Sequence, residues 1–81
     1  MRTLLFVRVG DGRPKCVKQF GSDKARGLQY LGHLVRPEQG RWLYWLVECE
    51  NAEAGRRVIA GGVLRGGNRF DGRILASGGR S

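Results

Sequence analysis

Arginines are concentrated in the carboxyl-terminal half of the chain, where few carboxylates oppose them. From residue 52 onward the only acidic residues are Glu53 and Asp71. A guanidinium group presents a planar fork of donors that pairs with phosphate or carboxylate through two hydrogen bonds and stacks on flat rings. We therefore predict that arginines of this half bind an acidic partner, as a basic β-ribbon does. The alternative is a solvated sheet edge whose charges discourage aggregation. The predicted contact residues are Arg56, Arg57, Arg65, Arg69 and Arg73.

A second candidate is the aromatic run that follows Arg41. Alternation along a strand predicts a buried face of Leu43, Trp45, Val47 and Cys49. On the other face, Trp42 and Tyr44 would meet solvent beside Arg41 and could stack on nucleic-acid bases. The alternative is that both rings pack under the carboxyl-terminal tail, against a partner protein or across a dimer, because aromatic rings dominate cores and interfaces.

Residues suited to catalysis or metal binding are few. The chain has two cysteines, Cys16 and Cys49, and one histidine, His33. The cysteines do not form a CxxC motif, so we expect small buried apolar side chains and no metal site. A Cys–His pair would need hydrogen-bond geometry and a third orienting group. We therefore predict neither an enzyme nor a protein that requires a cofactor.

The charge balance indicates the class of partner. Lys and Arg total 15 against 7 Asp and Glu, which gives a formal net charge of +8 and a pI near 10.8. A surplus of this size attracts polyanions and speeds encounter with them, and nucleic acid, DNA or RNA, is the commonest such partner. The alternative is that the charge only maintains solubility. No apolar run approaches the length of a membrane span, so we expect a cytoplasmic protein.

A rival hypothesis is a small interaction factor or inhibitor, of the kind that phages and mobile elements encode. Such a protein would dock on an acidic surface of a larger protein or ribonucleoprotein complex and block it sterically. Its small size, 81 residues, suits this role. A sheet that one helix cannot cover would leave an apolar strip for such a partner, or for a second copy in a homodimer.

The amino-terminal half predicts a β-hairpin followed by a helix. Residues 3–9 and 15–20 are strand-prone and are joined by a turn rich in glycine. Ser22 or Asp23 can cap a helix over residues 22–35, which Pro37 ends. The apolar stripe predicted to face the sheet is Ala25, Leu28, Leu31 and Val35. The predicted polar face is Arg26, Gln29, Tyr30 and His33.

The carboxyl-terminal half predicts three more strands. They cover the aromatic run from Trp42, residues 57–64 and residues 70–76, with a hairpin turn at Gly66, Gly67 and Asn68. Gly61 and Gly62 suggest a bulge inside the second of these strands. Residues 77–81 are predicted to be a flexible tail. The sequence thus predicts a single α+β domain over residues 1–81, ordered ββαβββ, with a curled antiparallel sheet on one helix.

Overall fold

The computed structural model describes residues 1–61 and 72–80. Within these residues the chain forms four strands and two α-helices. The first half contains β1 (Arg2–Val9), β2 (Lys15–Gln19), α1 (Lys24–Tyr30) and a 3₁₀ turn (Leu31–His33). The second half contains β3 (Trp42–Cys49), α2 (Ala52–Ile59) and β4 (Gly72–Arg80).

The strands form one open antiparallel sheet in the order β2-β1-β3-β4. This confirms the predicted α+β class, the antiparallel sheet and the amino-terminal hairpin. The two helices pack on opposite faces of the sheet. Gly27 of α1 lies against Thr3, whereas Gly55 of α2 lies against Phe6, and residues an odd number apart on a strand face opposite ways. The sheet is therefore covered from both sides and not by the single helix that the sequence predicted.

Helix α1 is shorter than predicted and packs through a different residue. Asp23 caps it by accepting a hydrogen bond from the backbone N–H of Arg26 at 3.0 Å. The helix ends at Tyr30, where the chain tightens into the 3₁₀ turn. Its buried residue is Gly27, while Leu28 is 46% and Val35 89% exposed. The predicted apolar stripe is therefore wrong: the absence of a side chain at Gly27 lets the helix approach the sheet closely.

Helix α2 occupies residues for which the sequence predicted a loop and the start of a strand, so the prediction of a strand from residue 57 is wrong. Asn51 caps the helix by accepting from the backbone N–H of Ala54 at 2.9 Å. Glu53 in the first turn and Arg56 in the last turn stabilise the helix through favourable interactions with its dipole. Gly61, at φ +89°, follows the helix and donates its N–H to the Val58 carbonyl at 3.0 Å. Gly61 thus terminates a helix and does not mark a bulge within a strand.

Strand β4 extends further toward the carboxyl terminus than predicted. Residues 77–80, expected to be a flexible tail, continue the strand and pair with β3, where Ser77 lies opposite Trp45 and Arg80 opposite Trp42. Gly79, at φ +129°, brings β4 against the Trp42 carbonyl where a Cβ atom would not fit. The predicted start of this strand at Phe70 and the predicted turn at residues 66–68 lie outside the described residues.

The main apolar cluster lies between the sheet and α2. Its buried members come from β1, β3 and α2: Leu4, Phe6, Val47, Cys49, Ala54 and Val58. The α1 face buries Thr3, Leu5 and Leu46 near the helix. The two faces therefore differ in how much apolar side chain each helix contributes, because α1 contributes a glycine where α2 contributes Ala54 and Val58.

Candidate nucleic-acid interface

The predicted arginines that lie within the described residues do not gather on one surface. The Arg73 Nε atom donates to Glu48 Oε1 at 3.2 Å, and Glu48 also pairs with Lys24 of α1 at 3.6 Å. Arg73 therefore lies on the α1 face of the sheet. Arg56 projects from α2 on the other face, where its Nε donates to the Pro14 carbonyl at 3.1 Å. The sheet separates these two members of the predicted cluster.

The other carboxyl-half arginines divide between intramolecular contacts and undescribed positions. Arg57 is exposed on α2 and also interacts within the chain. Arg80 donates to the carbonyls of Gly40 and Pro37, both at 2.8 Å, and so fastens β4 to the connection before β3. Arg65 and Arg69 lie outside the described residues. The described arginines of this half thus contribute to holding the fold together, which lowers their availability for a ligand.

The predicted aromatic platform is not exposed. Trp42 is 3% exposed and stacks on Tyr44, with ring centroids 5.7 Å apart. Arg36 lies over the Trp42 ring at 5.9 Å, and Tyr44 packs against Gly78 of β4. The prediction of a solvent-facing Trp42 is therefore wrong, because Arg36 covers its ring. Tyr44 is partly buried against the carboxyl-terminal strand, as the alternative predicted for it. Arg41 is exposed beside them and pairs with Asp11.

The histidine lies apart from the two cysteines. Cys16 and Cys49 belong to the α2 face, where both are part of or packed against the apolar cluster. Burial raises the pKa of both thiols, which disfavours the reactive thiolate. His33 lies in the turn that follows α1, on the other face. In residues 1–61 and 72–80, no three His, Cys, Asp or Glu side chains come together to hold a metal ion.

A group of exposed cations and rings does come together, between α1 and β2. It lines a surface pocket of about 320 Å³ formed by Lys18, Phe20, Arg26, Gln29, Tyr30 and His33. We call it the α1–β2 pocket. The Phe20 and Tyr30 rings are tilted by 57° with centroids 5.5 Å apart. The Lys18 Nζ atom lies 5.1 Å from the Tyr30 centroid and 6.0 Å from that of Phe20. The pocket thus combines partly exposed aromatic faces with positive charge.

Local irregularity in β2 places Lys18 in this pocket. Phe6 pairs with Cys16, but Leu5 pairs with Lys18, so Val17 is an extra residue that forms a β-bulge. Across the bulge, Cys16 lies with Phe6 on the α2 face and Lys18 with Leu5 on the α1 face. After β2, the Phe20 N–H donates to the Thr3 carbonyl at 2.9 Å, which fixes the ring beneath α1. The bulge is what turns Lys18 toward Tyr30.

The electrostatics of the α1–β2 pocket favour an anion. Lys18 and Arg26 are exposed, and neither side chain pairs with a carboxylate in the described part of the chain. Gln29 adds an amide that can both donate and accept hydrogen bonds. The arrangement can stack a flat ring on Tyr30 or Phe20, hydrogen-bond its edge and neutralise a neighbouring phosphate.

The sequence predicted four of the six residues that line this pocket on one surface but gave that surface no function. Arg26, Gln29, Tyr30 and His33 were predicted on the polar face of the helix. A tyrosine among cations on a face without carboxylates is the signal that could have drawn attention to it. Lys18 could not be added from the sequence, because an uninterrupted strand would place it on the same face as Cys16.

Comparison of the chain with protein-family models, with curated proteins and with solved structures finds no significant match. The described helices are all too short or too polar to cross a bilayer. The assignment of a function therefore depends on the side chains and charges described above.

Proposed function

We propose that this protein binds single-stranded nucleic acid at the α1–β2 pocket. The observation that supports this most directly is a partly exposed pair of rings, Phe20 and Tyr30, surrounded by Lys18 and Arg26. Neither cation has a carboxylate partner among the described residues. Bases are free to stack on protein rings only when they are unpaired, so this pocket favours a single strand over a duplex.

The net charge of +8 supports the same partner at longer range. A positive potential over the whole surface raises the rate of encounter with a polyanion. In this proposal, the arginines of the carboxyl half contribute to that potential, whereas close contact is assigned to the α1–β2 pocket. This differs from the hypothesis drawn from the sequence, which gave close contact to Arg41, Trp42, Tyr44 and the carboxyl-half arginines.

The test is binding to labelled single-stranded DNA and RNA, measured by fluorescence anisotropy over a range of salt concentrations. We expect Tyr30→Ala to weaken binding by about 5- to 150-fold, the equivalent of one lost stacking contact. Lys18→Ala should also lower the salt dependence by about 0.7 in log–log slope, because one phosphate contact is lost. Duplex DNA of the same length should bind more weakly than the single strand.

Arg41→Ala is the matched control, because it removes the same charge from an exposed side chain that pairs with Asp11. We expect it to change affinity much less than Lys18→Ala. A larger loss of affinity for Arg41→Ala than for Lys18→Ala would indicate that the nucleic acid binds near Arg41. Failure of the folded protein, verified by circular dichroism, to bind any single strand at low salt would refute the proposal.

A second candidate function, docking on an acidic protein surface, is favoured by a different groove. It has a volume of about 230 Å³ and is lined by Val7, Val9, Gly12, Arg13, Lys15 and Val17. Val9 is 66% and Val17 56% exposed, so apolar surface is open to solvent between two cations. Recovery of one stoichiometric protein partner after nuclease treatment, lost in a Val9→Ser and Val17→Ser double variant, would favour this function over the first.

A further inference from the structure

A second basic pocket lies on the α2 side of the sheet, where the β1–β2 connection meets α2. It has a volume of about 270 Å³ and is lined by Arg13, Pro14, Lys15, Glu53 and Arg56. Three cations and one carboxylate thus line this pocket, and Arg13 and Lys15 also line the neighbouring groove of Val7 and Val9. Arg13 and Lys15 are exposed and have no carboxylate partner among the residues that the structure describes.

Arg56 is held in place in this pocket by its surroundings. Its Nε donates to the Pro14 carbonyl at 3.1 Å, and its guanidinium carbon lies 6.0 Å from the buried Phe6 ring. The side chain is 31% exposed, so its terminal nitrogens still reach the surface. A guanidinium group that is already oriented loses less conformational entropy when it binds a ligand.

Glu53 is the carboxylate that pairs with Arg56 in this pocket. Its Oε1 lies 3.6 Å from Arg56 Nη1, and the Glu53 side chain is 73% exposed. An ion pair that is this long and this exposed is weak. A phosphate group can form charge-assisted hydrogen bonds with Arg56, in a pocket that Arg13 and Lys15 also line. The pocket therefore favours exchange of the Glu53 carboxylate for a phosphate.

We infer that the pocket of Arg13, Lys15 and Arg56 is a phosphate-binding site in which the incoming phosphate displaces Glu53 from Arg56. This inference deepens the proposed function and rests on it for the source of the phosphate, which is the backbone of the strand whose bases stack in the α1–β2 pocket. Lys15 and Lys18 belong to the edge strand β2, and three residues of a strand span about 10 Å. Lys15 pairs with Val7 and Lys18 with Leu5, so both start from the α1 face. The bound strand thus follows the β2 edge from Lys18 to Lys15 and turns to the α2 face at Arg56.

Inorganic pyrophosphate tests the site without any nucleic acid. Titration followed by ¹H–¹⁵N NMR should shift the signals of Arg13, Lys15 and the Arg56 Nε. Glu53→Gln should tighten pyrophosphate binding by about 2- to 5-fold, the equivalent of one exposed ion pair released. Glu38→Gln is the matched control, because it removes the same charge from an exposed residue before β3. A Glu53→Gln affinity no higher than that of Glu38→Gln would overturn the site.

Oligonucleotides of increasing length separate this inference from the proposed function. In strands long enough to reach both pockets, Arg13→Ala should weaken binding and Glu53→Gln should strengthen it, while the shortest strands that depend on Tyr30 should respond to neither. Long strands that depend on Tyr30 but ignore Arg13 and Glu53 would refute the path around the β2 edge and leave the proposed function standing. Pyrophosphate binding that Glu53→Gln strengthens, in a protein that binds no oligonucleotide, would support the phosphate site and refute the proposed function.

Discussion

The two helices pack on the sheet in a similar way, but they bury different amounts of apolar side chain. Each helix has a side-chain cap, Asp23 for α1 and Asn51 for α2, and each approaches the sheet through a glycine. On the α2 face, the glycine is flanked by buried Ala54 and Val58, which join the main apolar cluster. On the α1 face, Gly27 is the buried residue of the helix, and its neighbours remain at the surface.

This difference indicates a division of roles between the faces. Stability depends mainly on apolar area removed from water, and the main apolar cluster lies on the α2 face, although the sheet also buries Leu5, Leu46 and Trp42 on the α1 face. The α1 face is left with exposed cations and partly exposed rings that the fold does not require for its core. A surface that contributes little to stability is available for binding, because its side chains do not have to satisfy packing.

The largest expected effect is the difference between Phe6→Ala and Leu28→Ala. Phe6 is fully buried against α2, so its truncation should lower the free energy of unfolding by about 3–5 kcal/mol. Leu28 is half exposed on α1, and its truncation should change the free energy by less than about 0.5 kcal/mol. Urea denaturation measures both. Comparable losses would show that α1 also supports the core, and Phe6→Leu provides a milder variant if Phe6→Ala does not fold.

Replacing the glycine of each helix that faces the sheet should also lower the free energy of unfolding more on the α2 face than on the α1 face, but by a smaller margin. A Cβ atom at Gly55 would lie 2.7 Å from Cε1 and Cζ of the buried Phe6 ring, so the ring or the helix must shift. Helix propensity gains up to about 1 kcal/mol from Gly→Ala, but overpacking costs about 1–3 kcal/mol. We therefore expect Gly55→Ala to lower the free energy of unfolding by up to about 2 kcal/mol in urea denaturation.

Gly27→Ala is the comparison. The added Cβ atom would lie 3.0 Å from Thr3 Cγ2 and 3.2 Å from Leu46 Cδ1. These contacts need a shift of only a few tenths of an ångström, which the short helix α1 can make, so the propensity gain offsets most of the cost. We expect a net change below about 1 kcal/mol. A larger loss for Gly27→Ala than for Gly55→Ala would contradict the division between the faces.

The sequence was sufficient for β1, β2 and β3 and insufficient for α2. The hairpin, the aromatic strand and the helix that Asp23 caps follow from alternation, turn glycines and a capping residue. Helix α2 was missed because Arg57, Val58 and Ile59 favour a strand, while the evidence for a helix lay earlier. Asn51 as a cap, Glu53 in the first turn, and Ala54 and Val58 four residues apart together indicate a helix that begins at Ala52.

The candidate site was less predictable than the fold, because the sequence does not show which carboxylate each arginine will pair with. Arg73 and Arg41 were expected to meet a ligand, but Glu48 and Asp11 approach them only after the sheet and its connections have formed. Trp42 was expected at the surface because alternation cannot show that Arg36 covers a ring on the second face. The sign of the surface charge could be predicted from the sequence. The location of the pocket could not, because it depends on the β-bulge at Val17.

The smallest expected effect concerns pH and the two thiols of the α2 face. Burial raises the pKa of Cys16 and Cys49, so the folded protein retains these protons at a pH where the unfolded chain releases them. The thiols therefore stabilise the fold fully below about pH 8.5, and their contribution is lost as the pH rises further. Urea denaturation between pH 7 and pH 10 should show a free energy of unfolding that falls more steeply for the native sequence than for a Cys16→Ala and Cys49→Ala double variant.

Titrating lysines and tyrosines affect both proteins alike, so only the difference in slope reports the thiols. Equal slopes would mean that the α2 face admits water to its sulfur atoms and is less tightly packed than its contacts indicate.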